Sequence, residues 1–363
     1  MTNDCGRSLP NLLGLGCAAV LLAGLCGPAR AFHDGGVAGC EACHIMHAER
    51  DGVVVMDGGE PVLTAATATD VCLSCHGGQE GVFGHNPLQP PTERGAGNFT
   101  FLLEDNLNDA ADGLVEPIAG EAAGHSIVSY EFGTAADSRW THAPGGTYPT
   151  SSLGCTSCHD PHGNASFRML HGVGPVQGGL FEFIYPAPEA EGLECCDGLA
   201  SESRTSHTAY RAGMAQWCAN CHGLYHDEAG TAGFAHPADD PLTGGTIGTY
   251  NRYNGTSDPR GGLPPLSYLP EVPFEVPDGT VSRTSGPDGS ARLMCLSCHR
   301  AHASSAPAAG RWDFDIALLV DDGVVSGSYA IPSPYRAPIQ GPLCQKCHGL
   351  SIHEHPDLDQ RFK

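Results

Sequence analysis

Six times along the chain, two cysteines stand three residues apart with a histidine directly after the second. The words are CEACH (40–44), CLSCH (72–76), CTSCH (155–159), CANCH (218–222), CLSCH (295–299) and CQKCH (344–348). Scattered at random, the 17 cysteines and 19 histidines of this 363-residue chain would give about 0.04 such words, so six exclude accident. The spacing suits one chemistry. Two thiols at this separation can each add to one vinyl group of the same haem, and the next histidine then lies under the iron as proximal ligand. Zinc would use tetrahedral Cys/His sets and gives no reason for a histidine after every pair. Disulfides give none either. The motifs therefore predict six covalently attached haem c groups, held at Cys40 and Cys43, Cys72 and Cys75, Cys155 and Cys158, Cys218 and Cys221, Cys295 and Cys298, and Cys344 and Cys347. Their proximal iron ligands are His44, His76, His159, His222, His299 and His348.

Six irons closed on both faces need six more ligands. Thirteen histidines remain, while the chain after residue 31 has only Met46, Met56, Met169, Met214 and Met294 as competitors. His47, His162 and His302 share one position, three residues after a proximal histidine, in CHIMH, CHDPH and CHRAH. Three residues cannot reach around a macrocycle, so such a histidine serves the iron of an adjacent haem or remains a solvated side chain. His125 in GHSIV and His236 in AHPAD stand beside Gly or Pro and apolar residues, where a loop can deliver an imidazole inward. His85 in FGHNP and His33 in AFHDGG are the next candidates, and His226 in CHGLYH is a looser version of the same spacing. His142, His171, His207, His353 and His355 are read as surface residues or partners of haem propionates.

The elements that position these residues must be unusual. Glycine and proline number 49 and 28, well above ordinary usage, which argues against long helices or a regular sheet. Only 40% of residues are hydrophobic. Six haems amount to about one per 55 residues after the first 31, so the porphyrins must themselves be the core. Gly and Pro then let backbone approach flat rings closely. The expected fold is mostly irregular coil with short helices and few strands, wrapped around the haems. Without them the chain should not fold, because cofactor binding and core formation are one event. Residues 1–31 read as an export signal, with Arg7, an apolar run, and the cleavage pattern Ala29-Arg30-Ala31. Residues 32–363 then form a single hexahaem domain. A lipoprotein site at Cys26 is disfavoured by the bulky Leu25 before it. No later segment reaches spanning length, so an exported protein with no membrane span is expected. The net charge of −23 repels nucleic acid and anionic lipid. Cys5, Cys17 and Cys26 leave with the signal, and the adjacent pair Cys195-Cys196 forms a strained disulfide or stays as two thiols.

Longer words around the motifs are familiar. FHDGGVAGCEACHIMH, APGGTYP ahead of CTSCHDPHG, WCANCH with a later HPA, CLSCHRAHAS and a terminal CQKCH resemble the hexahaem outer-membrane c-type cytochromes of the extracellular nanowire family of metal-reducing bacteria. The resemblance covers all six motifs in order, from Phe32 to His348, and is weak over 86–120 and 173–210. It implies a continuous stack of closely spaced bis-histidine haems and head-to-tail polymerisation into a conductive filament at the cell surface or outside it. It also implies that His47 is donated to a haem of the next subunit, the one bound by Cys295, Cys298 and His299. Two features depart from the family. The chain runs on after CQKCH as GLSIHEHPDLDQRFK, and no histidine occurs between His236 and His299, so His353 or His355 can enter the ligand set.

Three functions follow from these residues. The first is an electron conduit, since bis-histidine irons have no vacant site for substrate. Its redox donors and acceptors would be other cytochromes or extracellular acceptors. The second is a monomeric periplasmic shuttle. The third, an oxyanion reductase, requires an open iron and positive charge around it, whereas the chain has only two lysines, Lys346 and Lys363.

Overall fold

A backbone so rich in Gly and Pro has few residues free to make long hydrogen-bonded ladders. The computed structural model describes residues 39–45, 49–50, 53–54, 62–78, 81–84, 86, 89–91, 95–103, 107–109, 116–118, 120–193, 202–226, 238–253, 262–314, 316, 319, 322, 329 and 343–348. Five short α-helices occur among them: α1 (Cys40–Cys43), α2 (Ala68–His76), α3 (Met214–His222), α4 (Gly244–Arg252) and α5 (Gln345–His348). Strands pair only as two-stranded antiparallel ribbons, such as Gly174–Val176 with Phe181–Phe183 and Glu189–Glu191 with Ala209–Ala212. The chain is mostly coil with short helices and few strands, as its composition requires. No described helix is long and apolar enough to cross a membrane.

Four of the five helices carry an attachment motif. In α2 and α3, which hold a whole motif, residues i, i+3 and i+4 share one face, so both thiols and the histidine point the same way, as one ring would demand; α1 stops short of His44 and α5 begins after Cys344. Motifs three and five are built differently, on the 3₁₀ turns Cys155–Ser157 and Cys295–Ser297. From there residues 155–171 and 295–311 trace the same path. His159 and His299 each donate a backbone N–H to the first cysteine of the motif at 3.0 Å. The chain then returns through Arg168-Met169 in one copy and Ala308-Ala309 in the other, all with φ of 52 or 55°. Left-handed backbone is costly for residues with a Cβ. Its recurrence at equivalent places shows that the turn is needed there. The return strand closes with Asp160 N–H on Met169 O (2.8 Å) and Arg300 N–H on Ala309 O (2.7 Å).

Apolar residues gather in three clusters rather than one core, and each abuts a motif. Tyr250, Tyr268, Leu269, Phe274 and Trp312 pack with Cys298, Cys344 and Cys347. Leu73 of the second motif packs with Phe83, Phe99 and Phe101. Tyr210, Met214 and Met294 pack with Cys295. Lys346, between the cysteines of the last motif, is fully buried, with Nζ 3.0 Å from Tyr253 O and 4.4 Å from the Tyr250 ring centre.

Candidate functional site: a row of haem-attachment motifs

None of the twelve motif cysteines is in a disulfide, and their arrangement follows the order of the motifs. Cys43 lies beside Cys72 and Cys75, and Cys72 is in hydrogen-bonding contact with Cys155. Cys158 faces Cys221, Cys218 contacts Cys295, and Cys298 faces Cys344 and Cys347. Each motif thus lies within electrostatic range of the next, from first to last, and motifs two and three, and four and five, are in direct contact. Among the described residues no group of three or more His, Cys, Asp or Glu could hold a bare metal ion.

The imidazoles are oriented by carbonyls. Nδ1 of His125, His159, His222 and His299 stands 2.7–2.8 Å from the backbone oxygens of Ala301, Arg168, Pro144 and Ala308 respectively. A ligating histidine characteristically donates its other N–H to such an acceptor, leaving Nε2 for the metal. For His159 and His299 the acceptor is nine residues on, in the left-handed turn, which explains why that turn occurs in both copies. For His222 it comes from the Pro144-Gly145-Gly146 segment. A Cβ at Gly146 would run into the Cys221 carbonyl, so only glycine lets this segment close on motif four.

Two pairs of rings face each other. His44 and His162 have centroids 6.3 Å apart with planes 8° from parallel, and His125 and His222 have centroids 6.0 Å apart at 47°. A metal–imidazole bond of about 2 Å on each side, with about 1 Å more to each ring centre, places the centroids of a bis-histidine iron about 6 Å apart. The residues therefore fit a haem iron between them. His162 reaches the first motif from the third, not the motif next to it in sequence, because its loop folds back along the row. Asp160 orients it through its backbone N–H at 3.0 Å, with the carboxylate 3.9 Å from Nδ1. His302 lies against Phe99, with ring centres 4.4 Å apart, and its titratable neighbours are His159 and His125. The backbone of 123–125 crosses 302–304, where His125 N–H donates to His302 O at 2.9 Å.

Electrostatics suit the same group. Burial holds His222 down at about 4 and His302 at about 3, and lowers His125, His159 and His348 as well. They are neutral at physiological pH, the form that binds iron. Arg311, 4% exposed, donates to the carbonyls of Leu296 (2.5 Å), Pro270 (3.3 Å) and Gly95 (3.4 Å) and makes no ion pair among the described residues. A buried guanidinium calls for an anion, and a haem brings two propionates.

Of the histidines set aside from the sequence, His142 is exposed and His171 turns Nε2 to Thr156 O at 3.1 Å. His207 corrects the expectation of a surface residue. It is 2% exposed, its ring nitrogens are 3.0 and 2.9 Å from Thr208 O and Arg283 O, and it stacks on Tyr268. Two carbonyls and an aromatic face bury an imidazole as well as an iron does. The side chains of His33, His47, His85, His226 and His236, the pair Cys195-Cys196, and segments 1–31 and 349–363 lie outside the described residues. Sequence reasoning missed the carbonyl acceptors, which carry no residue signature. It also missed Phe99, Arg311 and Lys346, of which only the lysine inside a motif was a visible signal.

No protein-family model matches the chain. It is 29% identical to the C-type cytochrome OmcS of Geobacter sulfurreducens over an alignment of 429 positions, covering 93% of this chain and 98% of that protein. The fold is similar to the Outer Membrane Cytochrome S filament of the same organism, with a TM-score of 0.72 and 27% identity. A cryo-EM structure of the OmcS nanowires gives 0.68 and 27%. Each of these comparisons covers 88% of this chain and all of the other. Motif chemistry, the order of the row and a likeness extending along nearly the whole chain agree, and the chain is similar to the c-type cytochrome OmcS in sequence and in fold.

Proposed function

We propose that residues 32–363, freed of an export signal, form one hexahaem cytochrome that passes electrons along stacked bis-histidine haems and performs no bond chemistry. Copies join head to tail into a conductive filament outside the cell. The observation that carries this reading is the proximity of each motif to the next. Haems attached there would be close enough for fast exchange, and the OmcS relatives are filaments.

The ligand assignments follow a step rule. His162 of the third motif faces His44 of the first, two motifs back. His302 occupies the equivalent place in the repeat and has His159 of the third motif as its first titratable neighbour, again two back. Applied to His47, the same step passes the beginning of the row and falls on the fifth motif of an adjoining copy, with Cys295, Cys298 and His299. The family resemblance implies the same contact. His125 closes the fourth haem, and the second and sixth draw on His33, His85 and His236, with His353 or His355 in reserve.

Imaging the purified protein at side-chain resolution tests the proposal. Filaments with six haems per chain and twelve histidine ligands are expected, and discrete particles at every concentration would return the shuttle reading. His47→Ala should keep six attached haems, bind about one carbon monoxide per chain when reduced, and lose filaments. Substantial carbon monoxide binding by the unaltered protein would point to an open iron and a reductase.

A further inference from the structure

Behind the junction of motifs four and five lies a carboxylate that the electron-carrying row does not use as a ligand. Glu275 is 1% exposed. Its backbone is locked to Arg292 in both directions, Glu275 N–H to Arg292 O at 3.0 Å and Arg292 N–H to Glu275 O at 2.8 Å, so the side chain has a fixed place. Oε1 accepts the Met214 N–H at the start of α3, 2.5 Å away, while Oε2 is buried with no hydrogen-bond partner among the described residues. The charged groups facing it are Asp239 and Arg292, with the Gly213 and Met214 amides of α3. Arg292 is committed to Asp239, through an ion pair of 3.7 Å and a hydrogen bond to the Asp239 carbonyl, and Asp239 also accepts from Gln216 Nε2 at 2.7 Å. Asp239 has its counter-charge. Glu275 has amides on one oxygen and nothing on the other, an arrangement that penalises its ionised form.

The position of this group is what gives it a consequence. Met214, which donates to Glu275, packs in one cluster with Met294, Leu296 and Cys295. It opens the helix that ends in Cys218, Cys221 and His222, and Cys218 contacts Cys295. One residue layer therefore separates the Glu275 carboxylate from the place where motifs four and five meet. A negative charge there opposes the addition of an electron, and by reciprocity an added electron raises the carboxylate's affinity for a proton.

We propose that Glu275 is a proton site coupled to the electron occupancy of the fourth and fifth haems. This rests on the electron-carrying function proposed above. As one electron enters this part of the row, one proton from solvent forms an O–H bond on Glu275, and no other bond forms or breaks. Burial already holds Glu275 above the ordinary carboxylate range, with Asp239 adding to the effect. The coupling is then expressed in a window beginning at that range and extending upward: potentials fall as pH rises through it.

Redox titration of the full haem-loaded protein at a series of pH values tests this, with Glu275→Gln and Asp239→Asn beside the unaltered chain. Part of the unaltered curve should shift with pH in the window. Glu275→Gln should abolish that shift and hold the potentials at their low-pH position, which a merely structural role would not produce. Asp239→Asn should leave the shift in place at lower pH. A Glu275→Gln curve with the same pH dependence, or fixed at the high-pH position, overturns the proposal. If that variant loses haem, proton uptake on reduction of the unaltered protein in weakly buffered solution decides, and no uptake in the window overturns it. Reversible reduction of all haems without proton uptake would remove Glu275 alone, whereas carbon monoxide binding would tell against the carrier itself.

Discussion

An imidazole has two nitrogens, and what each one touches divides the histidines of this chain into two kinds. His125, His159, His222 and His299 commit Nδ1 to a carbonyl and leave Nε2 available. His207 has both nitrogens against carbonyls, at the centre of an aromatic contact. The two kinds should respond differently to removal. His125→Ala should leave stability nearly unchanged and open one iron, so that reduced protein binds about one carbon monoxide per chain. His207→Ala should open none and cost about 2 kcal/mol, because a buried carbonyl loses its donor and the stack on Tyr268 is lost. Gas titration and guanidinium unfolding, followed in the haem absorbance and in circular dichroism, separate these results.

At the scale of elements, each attachment motif needs a short rigid support, and the chain provides it by local hydrogen bonding. Helix α2 starts at Thr67, whose Oγ1 accepts Asp70 N–H at 3.0 Å while donating to Asp70 Oδ2 at 2.8 Å, a reciprocal cap. Asp70 also accepts from Ser129 Oγ at 2.5 Å and Glu131 N–H at 3.2 Å, tying the helix to the 129–131 turn. Burial works to raise the Asp70 pKa, but the hydrogen bonds from Ser129, Thr67 and the backbone outweigh it, and the group ends below the ordinary carboxylate range. Its stabilisation is therefore complete above about pH 4, the unfolded value, and is lost as pH falls through the lower folded value. Asp70→Ala should cost about 2 kcal/mol at neutral pH, with the difference from the unaltered protein shrinking at low pH. Unfolding curves at pH 7 and pH 3 check this.

For the whole molecule, the apolar packing among the described residues is divided into three clusters set against attachment motifs. A chain so arranged has too little side-chain packing of its own to offset the entropy of ordering its loops. Burial also raises the thiols, Cys158 to about 11 and Cys221 and Cys347 to about 12, so thiolates that attack haem vinyl groups are disfavoured once the chain has closed. Attachment should precede folding. Expressed without haem maturation, the chain should lack native circular dichroism and be cleaved rapidly by protease. A haem-free chain with a cooperative unfolding transition would contradict this account.

The coil-dominated fold was legible as sequence, because backbone freedom is a local property, and the six motifs stood out there as candidates for covalent attachment because their spacing is local too. The surplus histidines were legible only as candidates. Position three after the motif named His162 and His302, but which partner each would meet, and that His207 would be buried away from any motif, depended on where distant loops crossed. The carbonyls of Ala301, Arg168, Pro144 and Ala308 that turn the imidazoles, and the bare oxygen of Glu275 behind motifs four and five, left no mark on the sequence. Backbone groups are the same at every residue. Only the tertiary path of a chain decides which of them point at one another.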